Sequence, residues 1–208
     1  MTWLTTQNEI VLAKKDILKR GFKANAERLA KQYREELNIH PCAALCAFKL
    51  AEHLKVPVYK ATEFLKEPHE INLLSKANGT TCGWSALTMV AKSGNRIIIY
   101  NEFHSEARQQ SDMMHELAHV ICKHEREQKQ YDFEIPFGMR EFDEVQEEEA
   151  KCLGSTLQLP SPALLWANKR NMAHDEIATH FNASQDMVKY RINMTGIAKR
   201  RNFSAKAS

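Results

Sequence analysis

Hydrophobic residues recur at helical spacing through most of the chain, and two stretches depart from it. Ile10, Val11, Ile17 and Leu18 mark one face of a helix over residues 8–20, which Gly21 stops. Ala26, Leu29, Ala30, Tyr33 and Leu37 do the same over 24–37, and a third helix is predicted over 42–54, after Pro41. Val56-Pro57-Val58-Tyr59 reads as a short strand, and 61–78 as helical or irregular with an interruption at Pro68. Residues 80–90 are then rich in Thr, Trp, Leu and Val, and Arg96-Ile97-Ile98-Ile99-Tyr100 is a β-branched run. Ser93-Gly94-Asn95 lies between them as a turn, so a hairpin is predicted. Helices return over 105–123, 140–159, 163–169, 175–181 and 184–199, with a loop over 128–139 as a candidate cleft rim. The fold class is therefore α+β, predominantly helical, with a small antiparallel sheet and a C-terminal helical pair.

The helix over 105–123 carries His115-Glu116-Leu117-Ala118-His119 within the apolar set Met113, Met114, Leu117, Ala118, Val120 and Ile121. Residues four apart lie one above the other on a helix, so His115 and His119 can offer two imidazoles to one metal ion. Glu116 sits about 60° around from His119, at about 100° per residue, where it flanks the ion without ligating it. This is the pattern of a zinc metallopeptidase helix. Such a zinc needs a third protein ligand and an open position for water. Cys122 and Glu125 stand where the metzincin pattern has Gly and His, which excludes that class. Cys122 is assigned to core packing, and His124, nearly opposite His115 on the helical wheel, to the surface. The acidic helix is the better source of the third ligand. Glu147 shares a face with Gly154, near Ala150, and small residues there allow close approach; Glu144 and Glu148 compete for the role.

Composition narrows the setting. The chain has 208 residues, 43% of them hydrophobic, which suits one domain with a small appendage. The first twenty residues mix Asn8, Glu9, Lys14, Lys15 and Asp16 among apolar ones, so no secretory signal is expected, and no run is long enough for a membrane span. Cys42, Cys46, Cys82, Cys122 and Cys152 are odd in number and scattered, which favours a reducing cytoplasm; Cys42 and Cys46 are expected in the core. The net charge of +3 does not by itself imply nucleic acid. Residues 175–192 do have helix-turn-helix spacing, with Asn182 suited to a left-handed turn and Ser184 as a helix cap. Lys189, Arg191 and Lys199-Arg200-Arg201 make DNA binding a second reading of this pair, behind a role in completing the core or docking a protein.

Arg96 to Asn101, Arg108, the segment His115 to His119, His124, Glu147-Glu148-Glu149-Ala150 and Leu157-Gln158-Leu159-Pro160 together resemble the ImmA/IrrE family of metallo-endopeptidases, zinc peptidases of the gluzincin type. The likeness continues through Phe181, Ser184, Arg191 and Gly196, and backward through Ala30 and residues 50–58. It departs at Ser111, where an aromatic is expected, and at Lys151 and Leu153-Gly154 after the acidic run. Lys151, one turn from Glu147, can pair with it or swing outward on its long stem.

The expected organisation is a zinc metallopeptidase domain with the N-terminal helices over 1–170, then helix-turn-helix-like helices with a basic tail over 171–208. The resemblance implies a zincin-like fold, Zn2+ held by His115, His119 and Glu147, and Glu116 as catalytic base. The substrate it implies is a regulatory protein, typically a helix-turn-helix repressor, cut at one bond in the cytoplasm. Tyr100, Arg108, Tyr131 and His180 are candidate oxyanion donors, and Asp143 is read as an exposed acid ahead of a partner for a ligand imidazole. The rival expectation is a non-catalytic regulator that binds DNA or sequesters a repressor through a peptidase-like fold.

Overall fold

The computed structural model describes residues 17–75, 83–91, 93–124 and 143–197. Most of the helix expected over 8–20, the rim loop over 128–139, Cys82, Tyr131 and the cluster at 199–201 lie outside the described residues. In chain order the elements are α1 (Phe22–Glu36), α2 (Ala47–His53), β1 (Val58–Lys60), a 3-10 turn (Ala61–Glu63), α3 (Pro68–Leu74), β2 (Ala86–Val90), β3 (Arg96–Tyr100), α4 (Glu106–Ile121), α5 (Glu144–Gln158), α6 (Ser161–Lys169), α7 (His174–Phe181) and α8 (Gln185–Thr195). Among the described residues, no helix is long and apolar enough to cross a membrane.

The fold is α+β and predominantly helical, as the periodicity predicts. Pro68 begins a helix instead of interrupting one: it occupies the first turn of α3, where its missing N–H costs nothing. The helix expected over 42–54 starts only at Ala47, because the Gln110 side chain on α4 accepts the Ala47 N–H at 2.6 Å and caps α2 from outside. The sheet has the order β1-β3-β2. Its hairpin is antiparallel, with Thr88 opposite Ile98, while β1 joins β3 in parallel, with Val58 opposite Ile98. The sheet is thus mixed, not purely antiparallel, since the long connection from β1 to β3 can make the crossover that parallel pairing requires.

Two cores hold these elements. Ala26 and Ala30 of α1, Leu50 of α2, Ile98 of β3, Met113, Met114 and Leu117 of α4, and Leu153 and Leu157 of α5 form the larger. The smaller joins Leu159, Leu164, Ile177, Phe181, Val188 and Ile192 around α6, α7 and α8. Two buried arginines tie them together at the C-terminal end of α5, where helix carbonyls lack partners. Arg34 donates to the carbonyls of Leu157 and Gln158 at 2.6 and 3.2 Å. Arg191 donates to Leu159 at 2.8 Å and pairs with Glu27. Arg191 is therefore part of the interior and not of a basic surface.

The turn between α7 and α8 has the local form its sequence predicts: Asn182 is left-handed at φ 47°, and the Ser184 hydroxyl accepts the Met187 N–H. It is docked on the helices below. Ser184 N–H donates to Ser111 Oγ at 2.8 Å, Ser111 donates to Gln158, and Gln158 donates to the Asn182 carbonyl at 2.7 Å. Ser111 is the hydroxyl on which that network turns.

Candidate metal centre

Helix α4 buries Met113, Met114, Leu117 and Ala118 completely, which fixes its rotation and brings His115 and His119 out on the side facing α5. Gly154 lets α5 come close: a Cβ there would lie 2.8 Å from the Met114 carbonyl oxygen and 3.0 Å from the His115 Cα. At the start of α5, Asp143 accepts the N–H groups of Val145 and Gln146 and caps the helix, so it does not reach a ligand imidazole. Glu147, one turn in, sits where the helix dipole favours a negative charge.

Glu147 Oε2 lies 3.2 Å from His115 Nε2, Glu147 Oε1 lies 3.5 Å from His119 Nε2, and the two imidazole Nε2 atoms are 3.1 Å apart. Among the described residues these three side chains are the group able to hold a metal ion. A tetrahedral zinc with bonds of about 2.0–2.1 Å spaces its donors about 3.3 Å apart, so the observed distances match the edges of such a tetrahedron. The donor chemistry also fits, being two imidazoles and one carboxylate with a fourth position left for water. The hydrogen bonds with His115 and then His119 hold the Glu147 carboxyl well below the usual carboxylate range, so it is anionic and ready to ligate. Burial opposes charge on His115 as its largest single influence, but Glu147, Glu116 and Asp112 together raise its pKa above the ordinary value.

Glu116 is buried on the sheet side of α4, and its Oε2 accepts two bonds from Thr88 on β2. The Thr88 N–H donates at 2.7 Å and its hydroxyl at 2.6 Å. Ile98, opposite Thr88, sends its N–H to Pro57 on the β1 side, so Thr88 points its backbone away from β3, along the outer edge of the sheet. That edge runs past the glutamate.

His124 departs most from expectation. It is not at the surface: its side chain is 7% exposed, its Nδ1 lies 2.8 Å from His119 Nδ1, and its Nε2 lies 3.1 Å from Glu149 Oε2. The helical wheel fails because α4 ends at Ile121 and Lys123 is left-handed at φ 55°, which swings His124 back beneath His119. Arg96 on β3 secures the bend by donating to the carbonyls of His119 and His124 at 3.1 and 2.8 Å. Burial leads the influences that lower the His124 pKa, which favours the neutral ring.

The remaining candidates fall away from His115, His119 and Glu147. Glu144 is exposed, Glu148 accepts the Tyr190 hydroxyl at 2.8 Å, and Lys151 swings over the Tyr190 ring and away from Glu147. Burial pushes the Cys122 thiol up to about 11, which suits packing and not ligation. Tyr100 packs edge-on against Phe48, Arg108 donates to Ser85, and His180 contacts the Cys42 carbonyl and Trp166. Thr88, His124 and Glu149 are the residues that reading the sequence did not bring to the centre. Residues 72–193, more than half of the chain, match the family model of the IrrE N-terminal-like domain. No curated protein matches the chain.

Proposed function

The chain belongs to the IrrE N-terminal-like family of metallopeptidases, and on that premise we propose that it is a zinc-dependent endopeptidase acting on a regulatory protein. The observation that carries the reading is the convergence of His115, His119 and Glu147 from two helices within the dimensions of one tetrahedral ion. A zinc ion held there supplies a Lewis acid that polarises the scissile carbonyl and lowers the pKa of water to about 7. Glu116 takes the proton of the attacking water as the C–O bond forms, then delivers it to the amine as the C–N bond breaks. Thr88 holds the carboxylate through Oε2, which leaves Oε1 for that proton. The outer edge of β2, beside Glu116, suits a substrate segment laid down in extended form by backbone hydrogen bonds.

The resemblance along the chain supports a helix-turn-helix repressor as the substrate. The test pairs wild type with Glu116→Gln, incubated with a repressor encoded beside the protein. Wild type is expected to contain about one zinc per chain and to cut the repressor at one bond. The Glu116→Gln variant should keep its zinc and its melting temperature while cleavage disappears. Cleavage that survives in the variant would remove Glu116 from its role. Absence of cleavage by wild type, with a zinc-independent shift of DNA, would favour a non-catalytic regulator.

A further inference from the structure

We propose that His124 and Glu149 are positioning residues that fix the tautomer of His119 and so make its Nε2 available to the metal. The inference rests on the metal-site reading but concerns residues outside the ligand set. Two imidazole nitrogens 2.8 Å apart, His119 Nδ1 and His124 Nδ1, must share one proton. If His119 carries it, His119 Nε2 is left without a proton, and a metal ion bound between it and Glu147 Oε1, 3.5 Å away, would take the place of the His119–Glu147 hydrogen bond. His124 then accepts at Nδ1, and its own proton sits on Nε2, where it donates to Glu149 Oε2 at 3.1 Å.

The opposite arrangement fails at both ends. A proton on His124 Nδ1 would put the His119 proton on Nε2, blocking the metal, and would set a bare His124 Nε2 against the Glu149 carboxylate. The carboxylate thus selects the tautomer two rings away. The relay is enclosed, with the His124 and Glu149 side chains 7% and 11% exposed, and Arg96 clamps its backbone. Orientation by such outer partners is worth about 10–100-fold in metal affinity.

The test uses the full chain and zinc alone. Long-range proton–nitrogen NMR of zinc-loaded wild type should show His119 protonated at Nδ1 and His124 at Nε2. Competition against a chromophoric chelator should show zinc affinity falling at least about tenfold in His124→Phe and in Glu149→Leu. His124→Asn, whose side-chain oxygen can accept from His119 Nδ1 but which has no group placed to donate to Glu149, should fall between wild type and His124→Phe. Apo-protein melting temperatures separate a loss of fold from a loss of affinity. The proposal is overturned if folded His124→Phe binds zinc as wild type does, or if His124→Asn is as weak as His124→Phe. Should His124→Phe not fold, the opposite tautomer in zinc-loaded wild type or unchanged affinity in Glu149→Leu would overturn it. Wild type that binds no zinc would instead contradict the metal-site reading itself.

Discussion

Gly154 and Met114 are in contact through backbone alone: a methyl group at residue 154 would stand 2.8 Å from the Met114 carbonyl oxygen. The close approach sets how near α5 comes to α4, and therefore where Glu147 stands relative to His115. Gly154→Ala must push the two helices apart, since the atoms it meets are main chain and cannot rotate aside. Overpacking of this kind costs about 1–3 kcal/mol. Urea denaturation of the variant should show that loss, accompanied by weaker zinc binding. Full stability and affinity in Gly154→Ala would mean that the helices are not held at this distance.

Thr88→Val removes the hydroxyl that donates to Glu116 and keeps the backbone N–H, which donates independently. Because the change is on the sheet and away from the ligands, zinc content should not move. The turnover number should fall about fivefold, the kinetic equivalent of one hydrogen bond of about 1 kcal/mol, with KM little altered. A rise in KM alone would assign Thr88 to substrate binding and not to holding the base.

Stability should decline in alkali. Burial pushes the thiols of Cys122 and Cys152 up to about 11 from an ordinary 9.0. Below the ordinary value both folded and unfolded chains keep these protons. Above it the unfolded chain loses them first, so it binds fewer protons and folding stability falls as pH rises toward the folded value. Tyr190, also raised by burial and by its bond to Glu148, adds in the same direction. The urea midpoint should be lower at about pH 10.5 than at about pH 8, and Cys122→Ala/Cys152→Ala should flatten the decline. An equally steep decline in the double variant would exclude the thiols as its source.

These relationships differ in how far the sequence discloses them. His115, Glu116 and His119 are legible because the helical repeat alone puts two imidazoles on one face, and Gly154 because a small residue on the same face as Glu147 marks close packing. Glu147 needs more than periodicity, since Glu144 and Glu148 are chemically identical neighbours; its approach to both imidazoles singles it out. His124 is hidden because Lys123, which no turn rule flags, adopts the left-handed conformation and carries the chain out of helical register. Thr88 is hidden because its partner is 28 residues away, joined only when sheet packs on helix. The parallel pairing of β1 is hidden for the same reason: a three-residue strand does not name its neighbour. Local repeats survive reading; contacts made through bends and crossovers do not.

Anomalous diffraction at the zinc absorption edge, from crystals of the wild-type protein, tests the central claim most directly. The account predicts one peak, about 2.0–2.2 Å from His115 Nε2, His119 Nε2 and a carboxylate oxygen of Glu147, with one further position open to solvent. No peak there, or a peak bonded to Glu144, Glu148 or the Cys122 sulfur in place of Glu147, would contradict it.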